Sequence, residues 1–236
     1  MSKKQQQRDI RAQKQAAAET AANRKSVLMR SVVWGLGAII ITVMLLTVYD
    51  SLFAPPPSVD EVVETDIVKG NPDAKLTLVE YSDFQCPACR VQHESIRKIW
   101  PQIKGSVRLV YRHFPLRQIH PHAITAARYA EAAGKQDKFW ELHDIFFDRQ
   151  SQWAGAKDIK PFFDGYVAEL ELNKAKFDKD LASDAVKDKV AADSQSAKKA
   201  QAASTPTLFL NGKLLRDVRD AEKLRAVIRQ AIKDAV

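Results

Sequence analysis

Cysteine is nearly absent: the 236 residues hold two, Cys86 and Cys89. That excludes a multi-disulfide scaffold. It also excludes a four-cysteine zinc site or a cysteine-ligated iron–sulfur cluster held by this chain alone. Glycine (8) and proline (10) are too few for a collagen-like or low-complexity chain. Most of the chain also lacks a surplus of positive charge. Residues 1–30 hold eight Lys/Arg (Lys3, Lys4, Arg8, Arg11, Lys14, Arg24, Lys25, Arg30) against Asp9 and Glu19. Taking these from totals of 37 basic and 29 acidic residues leaves 29 against 27. A nucleic-acid binder needs its basic patch on the folded part, so that class is excluded. No internal repeat is present.

The chain does have one long stretch without charge, Ser31 to Tyr49, nineteen residues. At ~1.5 Å per residue it makes a helix of ~28 Å, close to the hydrocarbon thickness of a bilayer. Trp34 and Tyr49 stand near its ends, where amphipathic rings favour the membrane interface. The run exceeds a usual signal-peptide core, and Leu52 is a poor partner for cleavage after Ala54. The expectation is an uncleaved transmembrane anchor over 31–49, with a buried core helix as the alternative. The basic tail, 1–30, then stays in the cytoplasm, where it can touch anionic lipid. A stiff linker over 50–60, containing Pro55-Pro56-Pro57, leads to a domain over 61–236 outside the membrane.

Lys75 to Tyr81 (KLTLVEY) alternates and is rich in strand-forming residues. Leu76, Leu78 and Glu80 fall on one face and Thr77, Val79 and Tyr81 on the other. Both faces are mostly apolar, so the strand is expected to be central. Then comes Cys86-Pro87-Ala88-Cys89, followed by Val91, Ile96, Ile99 and Trp100 at helical spacing, with Pro101 as the expected stop. The cysteines thus fall where a strand hands over to a helix N-terminus, and Pro87 suits the first turn. Unpaired N–H groups and the helix dipole favour an anion there. Cys86 is expected to be the acidic, attacking sulfur, and Cys89 the buried thiol that resolves the mixed disulfide.

Two structural readings compete. A zinc site would need two more ligands. His93 lies one turn beyond Cys89, but His113, His120, His122 and His143 offer no matching spacing. A structural disulfide would close too short a loop to add much stability. Glu80, six positions before Cys86, is either a solvent-facing residue of an edge strand or a buried acid that exchanges a proton with Cys89. His93 is expected on the surface.

Near the C-terminus, Thr205-Pro206-Thr207 leads into Leu208-Phe209-Leu210, then Asn211-Gly212, then Lys213-Leu214-Leu215. Asn-Gly between two apolar runs signals a hairpin. By general frequency the bond before Pro206 is trans. Asp220 opens a final amphipathic helix through Leu224, Val227, Ile228 and Ile232.

These pieces resemble a thioredoxin fold. DFQCPACR, YRHFPL (111–116), HPHAITAA (120–127), GKQDKFWELHDIFF (134–147) and STPTLFLNGK (204–213), in this order, are similar to the DsbA-like thiol–disulfide oxidoreductases over about residues 60–236. The resemblance implies an α/β thioredoxin fold with a helical insertion over about 115–203, here preceded by one transmembrane helix. It implies that Pro206 is a cis-proline facing the disulfide, that Thr205 pairs with substrate backbone, and that Glu80 is the family's buried acid. No metal or other cofactor is implied. The implied partners are cysteine-containing protein substrates and a membrane redox partner, either a quinone-linked oxidase or a reductase.

Two departures bear on direction. Strongly oxidising members carry His where this chain has Ala88, and often Val where it has Thr205. Pro87 and Ala88 therefore enter as residues that modulate the motif. The expectation is disulfide formation outside a bacterial cytoplasmic membrane, in the periplasm. A reductase or isomerase uses the same residues with reversed poise. A tethered binding or chaperone module with a vestigial CxxC is the alternative from another class.

Overall fold

The computed structural model describes residues 24, 29, 31, 33–49, 58, 59 and 61–235. The chain divides into two compact units, Met1–Pro56 and Pro57–Val236. In the first, residues 33–49 are helical (α1), with Trp34, Ile40 and Leu45 all exposed. Among the described residues no helix is long and apolar enough to cross a membrane. Most of the expected basic tail, position 32 of the expected anchor and Pro55–Pro57 lie outside the described residues.

The second unit is built on a five-stranded sheet in the order β1-β3-β2-β4-β5. Its strands are β1 (Ile67–Gly70), β2 (Leu76–Ser82), β3 (Val107–His113), β4 (Thr207–Leu210) and β5 (Lys213–Leu215). β2 is central, as its two apolar faces require. Leu76 and Leu78 join a core with Ile96, Ile99, Leu224 and Ile228. Val79 and Tyr81 join another with Ala197, Ala200 and Phe209. β3 runs parallel to β2, from Leu76 opposite Val107 to Ser82 opposite His113. Parallel pairing needs a crossover, and helix α2 (Pro87–Ile103) supplies it.

β4 lies antiparallel on the other side of β2, with Glu80 opposite Leu208. The Asn211-Gly212 hairpin forms as the sequence expects; both residues have positive φ, 46° and 79°, matching the twist of the flanking strands. β1 pairs with the far side of β3.

One expected boundary is corrected. Pro101 lies inside α2 instead of ending it. Proline lacks the N–H of its own turn, but the Lys104 N–H still reaches the Trp100 carbonyl at 2.9 Å, so the last turn closes around the ring.

Six helices fill the stretch between β3 and β4: α3 (Ala123–Gly134), α4 (Phe139–Asp148), α5 (Gln150–Trp153), α6 (Lys160–Glu169), α7 (Lys174–Ala182) and α8 (Asp184–Lys199). Their aromatic residues, among them Phe146, Trp153, Phe163 and Phe177, share one buried cluster with Phe84, Cys86, Cys89 and Tyr111. The helical insertion and the cysteine pair therefore rest on the same core. The last helix, α9 (Ala221–Asp234), is capped by Asp220, whose carboxylate accepts the N–H groups of Glu222 and Lys223.

Candidate active site

Cys86 is the N-cap of α2, with an extended backbone (φ −75°, ψ 122°) and Pro87 in the first turn behind it. Its carbonyl accepts the N–H of Cys89 at 3.1 Å and of Arg90 at 3.3 Å. The Cys86 thiol is lowered from 9.0 to about 5. The Cys89 thiol donating to the sulfur is the largest cause; burial opposes it, and the Ala88 and Cys89 N–H groups assist. Cys89 is fully buried. Burial pushes its thiol well up, and the neighbouring Cys86 sulfur pushes it further. Two sulfurs of opposite acidity thus occupy one helical turn.

The Cys86 Sγ lies 3.5 Å from the Thr205 carbonyl. The Thr205–Pro206 bond is cis, which agrees with the family resemblance and not with general frequency. An open groove of about 680 Å³ runs past Pro206, lined among others by Gln92, Ser204, Thr207 and Arg219. Ala88 places only a methyl between the two cysteines.

Glu80 is 2% exposed and stands opposite Tyr111 and Leu208 in the sheet. Burial pushes its carboxyl up from 4.5 to about 7, and the Ser82 hydroxyl pulls partly back. Ser82, two residues on and on the same strand face, also favours the ionised form of Cys89. The Ser82 hydroxyl is itself buried and has no hydrogen-bond partner. Sequence reasoning passed over Ser82, although its spacing of two from Glu80 was visible.

The loop between β2 and α2 is clamped by residues that sequence reasoning also missed. The Asp83 carboxylate accepts the N–H groups of Gln85 (2.8 Å) and Leu116 (2.9 Å) and pairs with the His120 ring (2.7 Å). Gln85 donates to the Ala154 carbonyl and accepts the His122 N–H. Buried Gln150, on α5, donates to the carbonyls of Phe84 (2.7 Å) and Cys86 (2.9 Å). A glutamine gives little pattern signal of such a role.

His93 is corrected. It is 5% exposed, not on the surface, because its ring stacks on Phe147 at 5.1 Å and meets the edge of His143 at 5.1 Å. Burial pulls it down to about 4. Among the described residues, two groups bring donor atoms within 4.8 Å of one another: His93, His143 and Asp144, and His113, Glu131 and Asp193. Neither includes a cysteine. In the second, His113 already pairs with Glu131 at 2.9 Å and Asp193 with Lys189 at 2.6 Å.

A family model described as thioredoxin matches residues 62–230. The chain is 34% identical over 168 residues to the Na+/H+ antiporter NhaA 1 of Salinispora arenicola, a match that covers 71% of this chain and 25% of that protein. The chain thus spans about a quarter of the length of the curated relatives it matches. Among solved structures, BdbD from Bacillus subtilis superposes with a TM-score of 0.66 at 23% identity, covering 75% of this chain and 98% of that one. A thioredoxin-like oxidoreductase from Silicibacter pomeroyi gives 0.60 at 25% identity, covering 78% and 97%. With a family match across most of its length, and a central sheet that hands a CxxC to a helix N-terminus opposite a cis-proline, the chain belongs to the thioredoxin family and carries the fold of its DsbA-like thiol–disulfide oxidoreductases.

Proposed function

We propose that this chain is a protein thiol–disulfide oxidoreductase that forms disulfides in cysteine-containing proteins outside a bacterial cytoplasmic membrane. The carrying observation is the opposed acidity of Cys86 and Cys89 beside Thr205–Pro206. A substrate thiolate attacks the Cys86 sulfur of the Cys86–Cys89 disulfide, and Cys89 leaves. The substrate's second thiolate then displaces Cys86. A thiolate as stable as that of Cys86 is a good leaving group and favours the reduced form of the protein, which makes the disulfide an oxidant. Thr205 and Pro206 seat the substrate backbone along the groove. A membrane redox partner, a quinone-linked oxidase in this reading, takes the electrons away.

Membrane placement is supported by the nineteen uncharged residues 31–49 and by the exposed apolar side chains of α1. It is also supported by the satisfied hydroxyls of Thr42 and Thr47, which bond to the Ala38 and Met44 carbonyls of their own helix. The curated relatives are Na+/H+ antiporters by name. Their ion transport is not carried over, since this chain matches a quarter of them.

A reductase or isomerase reading draws on two observations: Ala88 adds no charge to steady the Cys86 thiolate, and Thr205 precedes the cis-proline. The Cys86–Cys89 potential against glutathione decides. An oxidase gives a value well above that of cytosolic thioredoxin (about −270 mV); a value at or below it overturns the oxidase direction. In the same preparation a Cys89→Ala variant should accumulate mixed disulfides on a non-reducing gel. No adducts at all would sink the exchange chemistry and leave the binding-module alternative.

A further inference from the structure

The inference rests on the exchange reaction just proposed and concerns which protein segments it accepts. Residues 31–236 carry 29 basic against 27 acidic side chains. A patch of one sign on so balanced a chain is a local feature and not a result of composition.

One such patch lines a groove of about 570 Å³ between α3, α8 and the segment that follows β3. It shares no lining residue with the groove at Pro206. Ile124 and Arg128 stand one turn apart on α3, and Lys187, Ala191 and Lys198 recur along one face of α8. Arg117 and Ile119 belong to the third wall. The lining thus holds four cations and no carboxylate. Lys187 is paired with Asp184 at 2.9 Å; among the described residues Arg117, Arg128 and Lys198 have no such ion pair. The Arg128 Nε is buried and has no hydrogen-bond partner, a state that folded proteins seldom leave without an acceptor to come. Ile119 is 69% exposed, the most exposed large apolar side chain among the described residues of the larger unit.

The groove is tied to the reacting sulfurs from two sides. The Leu116 N–H is held at 2.9 Å by Asp83, three residues before Cys86. Lys198, in the last turn of α8, stands three residues before Gln201, which lines the groove at Pro206.

We propose that this groove is a second seat for the substrate chain, one that favours cysteine-containing segments with acidic and apolar residues near the reacting cysteine. Arg128 receives a carboxylate inside the groove, where a guanidinium makes charge-assisted hydrogen bonds. Arg117 and Lys198 draw the acidic segment in, and Ile119 packs against its apolar neighbour. A concave seat suits an extended chain better than a bilayer. A flat headgroup layer would meet Arg117 and Ile119 at the rim but not the Arg128 Nε within. The groove touches no reacting atom, so its effect falls on KM and not on kcat.

The test uses the full chain in neutral detergent, oxidised at Cys86–Cys89, and reduced two-cysteine peptides. One set carries Glu-Leu at successive positions before or after the cysteines, and a matched set carries Gln-Leu. At low ionic strength the best acidic peptide should half-saturate the reaction at about tenfold lower concentration than its Gln counterpart, with a similar limiting rate, and high salt should close the gap. Arg117→Glu combined with Lys198→Glu, both at exposed positions, should close it too, as should Arg128→Gln alone. The same peptides with Ser in place of Cys, followed by fluorescence anisotropy, should show the same preference in binding.

No gap at any position, or a gap that survives the reversals at Arg117 and Lys198, overturns the proposal. So does tighter binding of short-chain phosphatidylglycerol than of any acidic peptide, which would give the groove to anionic lipid. Should Arg128→Gln fail to fold, the two exposed reversals decide alone. Acidic peptides that bind with the expected preference while none is oxidised would leave the groove standing and overturn the oxidoreductase reading instead.

Discussion

At the scale of single residues, the pH dependence of stability separates Glu80 from Cys86. Glu80 is raised, from 4.5 to about 7. Its contribution is fully present below 4.5 and is lost as pH rises through about 7. Cys86 is lowered, from 9.0 to about 5, so its contribution is present above 9.0 and is lost as pH falls through about 5. Glu80→Gln removes the first effect and keeps the second. Relative to the wild type, this variant should therefore gain on the order of 3 kcal/mol in going from pH 4 to pH 8. Urea unfolding of both reduced proteins at the two pH values checks it; a constant difference would mean that Glu80 titrates as it does in solution. The two cysteines were legible because the helix N-terminus is written into the order strand, CxxC, apolar helix. Asp83 and Gln150 were not, because their roles depend on hydrogen bonds to distant backbone, which no local pattern encodes. His93 was misplaced for a related reason: its burial is set by Phe147 and His143, fifty residues on.

At the scale of elements, the central strand, the crossover helix, the Asn-Gly hairpin and the Asp220 cap could all be read from period and turn chemistry. The length of α2 could not, because Pro101 sits where only one lost hydrogen bond is at stake. β1 carried no signal either; four residues at a sheet edge are too few to show alternation. It nonetheless holds a strict requirement. Gly70 has φ +97°, and a Cβ there would lie 2.7 Å from the Val107 carbonyl and 2.9 Å from the Trp100 ring. Both obstacles belong to the core of the sheet and of α2. Gly70→Ala should destabilise the protein by roughly 2–4 kcal/mol, read as a lower Tm by thermal unfolding. An unchanged Tm would show that β1 can shift without loss.

At the scale of the whole molecule, the chain's two units make separable predictions. Full-length protein expressed in bacteria should sediment with membranes and resist alkaline carbonate extraction. The unit Pro57–Val236, expressed alone behind an export signal, should remain soluble and keep its exchange activity. Release of the full chain by carbonate would remove the anchor from the reading. The fold of the larger unit was legible mainly through its family resemblance. The path of the helical insertion was not, since its aromatic cluster reads as generic core until Phe84 and the cysteines are seen within it. Gln150 and Asp83 fasten the cysteine loop from both sides. A loop fastened in this way has little slack, so the oxidised and reduced molecules present nearly the same outline. A redox partner that must tell a spent molecule from a ready one then reads the electric field of a single sulfur and not a contour, and its discrimination should fade as ionic strength rises.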